Sequence, residues 1–231
     1  MKRSNHSYIW VVVMAGPNWT ELWPSLDPSS RNMPQFTEGP VWNALMDLKS
    51  QLNSLLNKIG SNERNDVSID SSKGRVFISD SAKIGPSVHI IGPAYIGPNA
   101  EIRHGAYIRE YSWICDSALV GHASEVKHSI LLPNSKAPHF NYVGDSILGP
   151  NVNLGAGVKL SNLRNDGGEV HTIIEGSRVP TGLRKFGAII GENSQLGCNA
   201  VTNPGVVLGA NCNVMPNTTV TGVYGPNSKI G

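Results

Sequence analysis

Apolar positions recur along this chain neither every 3.6 residues nor every second residue, but every sixth. From 78 to 132 the sixth residues are Ile78, Ile84, Ile90, Ile96, Ile102, Ile108, Ile114, Val120, Val126 and Leu132. Four places after most of them stands a small residue, such as Ala82, Ala94, Ala100, Ala106, Ser112, Ala118 or Ser124. Gly, Pro and Asn fill many of the positions between, as in IGPN at 96–99. Six is neither the helix period nor simple strand alternation. It is the period of a parallel β-helix, in which each hexad supplies one short strand and one turn. Three hexads close a triangular coil, and coils stack at roughly 4.8 Å. The aliphatic fills the narrow interior, and the small residue lets the corner close. The expected fold is therefore all-β.

The period returns at Leu148, Leu154 and Leu160, and again at Ile190, Leu196, Thr202, Leu208, Val214 and Val220, with Thr202 the polar intruder. Two breaks remain. Leu132 and Leu148 are sixteen residues apart, which predicts a loop of about ten residues extruded within 133–147. The second break separates Leu160 from Ile190. Loops on a rigid scaffold are where function concentrates.

The N-terminal third has a different pattern. Residues 1–39 are irregular, an arm anchored by Trp19 and Trp23. Val41, Leu45, Leu48, Leu52, Leu55 and Ile59 then fall at spacings of four and three. They predict a helix over about 40–59, capped near Thr37 and ended by Gly60. Its stripe is expected to pack on the β-helix or on another subunit, or to cap an open end of the coil. A polar linker covers 60–75, and the coil runs from 76 to about 224, with a fraying tail. The division is thus 1–75 for arm, helix and linker, and 76–231 for the β-helix domain.

Composition narrows the function classes. The 231 residues are 16% charged, with a net charge of +2. There is no basic excess to argue for general nucleic-acid binding. Cys115, Cys198 and Cys212 make no disulfide framework, and are expected to be small buried or half-buried thiols in a reducing compartment. No stretch approaches the roughly 20 apolar residues of a membrane span. Lys2 and Arg3 ahead of the apolar run 8–15 imitate a short signal peptide, but a buried strand or an extension is the expected reading, with a cytoplasmic location.

Three groups of residues could carry chemistry. His139 stands in the first break, held by Pro138 and flanked by Phe140 and Tyr142, and an imidazole can accept a proton near neutrality. Arg109 and Lys127 each follow a core aliphatic and lie eighteen residues apart, so they stack one rung above the other. An anion between them would turn their repulsion into binding; alternatively Glu110 and Glu125 neutralise them. His104 and His122 are also eighteen apart, with His128 one hexad on, but no Cys or carboxylate signature supports zinc, and no metal is expected.

The segment from 109 to 162 resembles the acetyltransferase domain of the bacterial bifunctional N-acetylglucosamine-1-phosphate uridyltransferase/glucosamine-1-phosphate acetyltransferase. The motifs are EVK (125–127), SKAPHFNYVGD (135–145), NVNLGAG (151–157) and SNLRNDG (161–167). The later TGLRKFGAIIGENSQLGCNAVTNPG (181–205) is similar to free-standing sugar-1-phosphate relatives. The resemblance implies a left-handed β-helix of hexapeptide repeats, a homotrimer, acetyl-CoA as cosubstrate and an amino-sugar phosphate as acceptor. It implies His139 as general base, with Glu125 orienting it. It implies phosphate contacts from Arg109 and Lys127, and sugar contacts from Tyr142, Asn153 and Asn162. Arg184 and Lys185, in the second break, are assigned here to coenzyme phosphates. Two departures stand out. No lysine follows Asn162 in DGGEVH (166–171), where relatives carry one or two, and no LxxGxGTRL-like entry to a nucleotidyltransferase domain occurs, so no uridyltransferase activity is expected. The competing readings are a non-catalytic assembly module and a γ-carbonic-anhydrase-like zinc hydratase. Five residues, Arg109, Lys127, His139, Tyr142 and Asn162, argue against a degenerate copy.

Overall fold

The computed structural model describes residues 16–62 and 64–231. The apolar run 8–15 lies outside them. From residue 68 onward the chain coils into a parallel β-helix whose three sides are eight-stranded sheets. The first sheet contains Tyr107–Ile108, Glu125–Lys127 and Tyr142–Gly144. The second contains Ala94–Ile96, Ser112–Ile114 and Ser129–Leu131. The third contains Leu119–His122, Lys136–His139 and Asn153–Leu154. The hexad aliphatics point inward as predicted, and Ile78, Ile90, Ile96, Ile102, Ile108, Val120 and Val126 are all fully buried in one continuous core. Corners are turned by residues of positive φ, among them Asn99, Asn199 and Asn211. Asparagine tolerates this left-handed region at low cost.

The first break is not an extruded loop. Residues 133–147 form strands of the coil itself, Lys136–His139 and Tyr142–Gly144, with Ala137 and Val143 as the inward residues. The slip arises because two corners lose one residue each. Ile114 pairs with Leu131, and Leu131 with Leu148, each seventeen rather than eighteen residues apart. Leu131, not Leu132, therefore fills the core, and Leu132 is buried on the outside of the second sheet. A ladder of buried serines ties the shortened corners. Ser129 Oγ donates to Lys127 O at 2.7 Å and accepts from Ser146 N at 3.0 Å, and Ser146 Oγ donates to Gly144 O at 2.7 Å.

The second break is a true excursion. It carries an antiparallel hairpin, His171–Ile174 with Ser177–Pro180, before the coil resumes at Ala188–Ile190. The coil also reaches further at both ends than the hexads indicated. Ser68–Asp70, inside the expected linker, pairs with His89–Ile91, and Lys229–Ile230, in the expected frayed tail, pairs with Asn213–Val214. Thr202 stays in the core position, fully buried, with no hydrogen-bond partner for its hydroxyl among the described residues.

The arm and helix cover the outer face of the second sheet. There the outward residues form an apolar column: Phe77, Tyr95, Trp113, Ile130, Ile147, Ile189 and Val207. Against it pack a short helix α1 (Trp19–Leu22) and a longer helix α2 (Asn43–Ile59) through Leu22, Trp23, Leu45, Leu48, Leu52 and Leu56. Helix α2 lies along a side, not over an end. It begins at Asn43 without a side-chain cap, because Pro40 and Val41 form the turn before it, and it ends as expected at Gly60. Leu56 takes the buried place predicted for Leu55. The described part of the arm is not wholly irregular, because Asn18 and Glu21 build a capping box around α1. Trp23 is fully buried and donates from Nε1 to Ile190 O at 3.0 Å, while Ser25 binds the Glu192 carboxylate. Cys115 and Cys212 are buried; Cys198, against expectation, is exposed. Burial pushes the Cys115 thiol well above its ordinary pKa.

Candidate functional site

Outward residues of a β-helix stack in columns one rung apart, and on the first sheet two columns stand side by side. One runs Tyr107, Glu125, Tyr142; the next runs Arg109, Lys127, Gly144. Arg109 and Lys127 thus stack as the spacing predicted. The alternative of neutralisation is partly realised too. Arg109 Nη1 donates to Glu125 Oε1 at 2.8 Å, and its Nε lies 3.7 Å from Glu110 Oε2. The Glu125 carboxylate accordingly engages Arg109.

The shortened corners supply the rest of this site. His128 and Asp145 are corner residues of positive φ one rung apart, a conformation that an ordinary side chain adopts at a cost. His128 Nδ1 lies 2.9 Å from Asp145 Oδ1, and Lys127 Nζ 3.8 Å from Asp145 Oδ2. Asn162 Nδ2 also donates to Asp145. Burial alone would raise the Asp145 pKa, but His128, Asn162 and Lys127 together hold it below the ordinary carboxylate value. Burial lowers the Lys127 ammonium below the usual lysine range, helped by Lys185 and Arg109 and opposed by Asp145. Burial, with Glu125 and Asp145 nearby, raises the Tyr142 phenol. Gly144 is needed for close approach. A Cβ there would stand 2.6 Å from Tyr142 Oη and 2.8 Å from Asn162 Nδ2.

His139 sits at the corner between the third and first sheets, at the end of Lys136–His139. It pairs in register with His122, so His104, His122 and His139 climb one edge of the coil. The corner is braced from inside, because buried Asn141 accepts from His139 N at 3.0 Å and donates to Gly155 O at 2.8 Å. The rung beneath comes close, since a Cβ on Gly121 would fall 1.6 Å from Pro138 O. The His139 side chain itself is exposed, beside Phe140, which is 57% exposed.

The sequence-predicted residues therefore divide. Arg109, Glu125, Lys127, Tyr142 and Asn162 come together on the first sheet. Asn153 faces outward from the third sheet, in register with Lys136 and Gln195. Arg184 is exposed at the base of the hairpin, its Nε bound to Gly167 O at 3.1 Å. Lys185 parts from it. It joins Lys127 at a pocket of about 250 Å³ with Lys49, Glu110, Tyr111, His128 and Asp145. His104 and His122 stack as expected, with ring centroids 4.9 Å apart and nearly parallel planes, but His128 belongs to the Asp145 corner and not to them. Among the described residues no three His, Cys, Asp or Glu side chains gather as a metal site.

Asp145 was not singled out by the sequence reading, and His128 was grouped with His104 and His122, because both sit on the corners that the six-residue count misplaced. Their seventeen-residue separation, matching that of Ile130 and Ile147, was the available signal.

Comparison with known proteins places these features. Residues 187–222 match the family described as bacterial transferase hexapeptide (six repeats), and 72–164 match the GMPPB C-terminal domain. Both matched stretches lie within the coil. The chain is similar to a bifunctional sugar-1-phosphate nucleotidylyltransferase/acetyltransferase of Sulfurisphaera tokodaii, 39% identical over 184 residues, which are 79% of this chain and 45% of the relative. A bifunctional protein GlmU of Methanococcus maripaludis is 39% identical over 173 residues, 75% of this chain and 41% of its own. That of Methanocaldococcus jannaschii is 45% identical over 107 residues, 46% of this chain and 26% of its own. The chain thus spans less than half the length of these relatives. Among the described residues no helix is long and apolar enough to cross a membrane.

Proposed function

We propose that this chain transfers the acetyl group of acetyl-CoA to the amine of an amino-sugar 1-phosphate. The observation that carries the reading is the gathering of Arg109, Glu125, Lys127, Tyr142 and Asn162 on one face of the first sheet, in the segment whose sequence resembles the acetyltransferase domain. In this reading Arg109 and Lys127 hold the sugar phosphate, and Glu125 fixes the Arg109 guanidinium. Tyr142, Asn162 and, from the third sheet, Asn153 contact the sugar. His139 takes a proton from the substrate nitrogen as that nitrogen attacks the thioester carbon. The carbon–sulfur bond then breaks, and coenzyme A leaves as its thiol after protonation. Donors to the developing oxyanion are backbone N–H groups of later rungs. Arg184, exposed at the hairpin base, meets coenzyme phosphates.

The working assembly is a homotrimer. The second sheet is already covered by the chain's own arm, which leaves the first and third sheets for neighbouring copies. His139 and Phe140, exposed at the corner between them, are then closed over by a second copy. Closed rotational symmetry suits such a repeated contact. Sedimentation should give three copies of the 24.8 kDa chain; a stable monomer with full activity would contradict it.

The phosphate assignment has its own test. Arg109→Ala and Lys127→Ala should each raise KM for the phosphorylated acceptor about tenfold or more, with kcat little changed, because they remove ground-state binding. Unchanged KM in both variants, for every phosphorylated acceptor, would remove these residues from the phosphate site.

A further inference from the structure

The pocket where Lys49, Lys127 and Lys185 converge is unbalanced in charge. Its two carboxylates are already engaged by groups other than Lys49 and Lys185. Asp145 is shared by Lys127, His128 and Asn162, and Glu110 lies between Lys73 at 3.4 Å and Arg109 at 3.7 Å. Ion pairs among the described residues include neither Lys49 nor Lys185. Lys49 instead lies over the Tyr111 ring, 5.1 Å from its centroid. Lys185 stands close enough to Lys127 to depress that ammonium's pKa. Like charges are held together here at a cost that an anion would remove.

An unpaired ring nitrogen points the same way. His128 Nδ1 faces Asp145 and Arg109 Nε lies 3.7 Å from the likewise unpartnered Glu110 Oε2, but His128 Nε2 is buried without a hydrogen-bond partner. Buried polar groups ordinarily find a partner, and Nε2 of His128, a residue lining this pocket, has none among the described groups.

Neither lysine belongs to the repeat. Lys49 comes from helix α2, and Lys185 from the returning base of the hairpin, where it bridges to Leu163. The two matched stretches, 72–164 and 187–222, include neither residue. Helix α2 and the hairpin base thus each deliver one cation to the same corner of the first sheet.

We propose that Lys49 and Lys185 complete, with Lys127, a clasp for the phosphate of the acceptor, and that they set selectivity for phosphorylated over unphosphorylated amino sugars. This rests on the acetyl-transfer reading and adds to it two specificity-determining residues outside the hexapeptide scaffold.

Both side chains are exposed, so Lys49→Ala and Lys185→Ala should leave the fold intact. The full chain is titrated calorimetrically with glucosamine 1-phosphate, with glucosamine and with acetyl-CoA. Each single variant should weaken glucosamine 1-phosphate about tenfold, and the double variant more, with glucosamine and acetyl-CoA unchanged. Lys185→Arg should retain most of the affinity. If Lys127→Ala abolishes binding while Lys49→Ala and Lys185→Ala bind like wild type, the clasp is wrong and the acetyl-transfer reading stands. If Lys185→Ala weakens acetyl-CoA instead, Lys185 serves the coenzyme and the clasp falls. If the wild-type protein binds no phosphorylated amino sugar, with glucosamine 1-phosphate as the first tried, both readings fall together.

Discussion

His139→Ala is expected to lower kcat by roughly 10²- to 10⁴-fold, the usual contribution of a positioned general base. Acetyl-CoA binding should be nearly unchanged, because the imidazole acts on the amine and not on the coenzyme. The loss should shrink as pH rises, since more of the substrate amine is then already deprotonated and needs no base. Thermal stability should barely move. The side chain is exposed, and the corner is held by Asn141 through the His139 backbone N–H, which alanine keeps. Surface substitutions of this kind usually stay within about 0.5 kcal/mol. Turnover near wild type at neutral pH, in a folded variant, would rule out the proposed mechanism.

Trp23→Ala is expected to have the largest effect on stability, about 3–5 kcal/mol. The indole is fully buried between the arm and the second sheet, packs 5.0 Å from the Phe36 ring, and donates to Ile190 O. Its removal leaves a cavity at the seam that joins the arm to the coil and takes one of two donors from Ile190 O, which still accepts from Gly149 N. For a chain of this length the melting temperature should fall by roughly 6–20 °C. Met46, on the solvent side of α2 and 47% exposed, is the control. Met46→Ala should shift the melting temperature little. A Trp23→Ala melting temperature within about 2 °C of wild type would mean that the arm is not seated as described.

The coil was legible in the sequence because inward positions admit only aliphatic or small residues, and Ile78 to Val126 keep that rule without a slip. What the hexads concealed was the loss of one residue at a corner. A corner residue points neither inward nor along a strand, so it can be shed without changing which side chains face the core. The change is visible only as a shift of phase, and the adjacent Leu131 and Leu132, both aliphatic, masked it. The outer column carries the correction. Phe77, Tyr95 and Trp113 are eighteen residues apart, while Trp113, Ile130 and Ile147 are seventeen apart, so counting the covered face reveals both the shortened corners and the sheet that the arm would cover. The same slip hid the site's acidic centre. Arg109 and Lys127 lie before it and were placed correctly, whereas His128 and Asp145 lie on the two shortened corners. Lys49 and Lys185 could not be placed by any period, because a helix and a hairpin outside the repeat bring them in.

Release of thiol from acetyl-CoA by the purified chain, followed against a panel of amino-sugar phosphates and their unphosphorylated counterparts, tests the central claim most directly. Acetyl transfer to a phosphorylated amino sugar predicts thiol release that depends on that acceptor, saturates with it, and is far weaker with the same sugar lacking phosphate. Thiol release no faster than spontaneous hydrolysis with every acceptor, from folded protein, would contradict it.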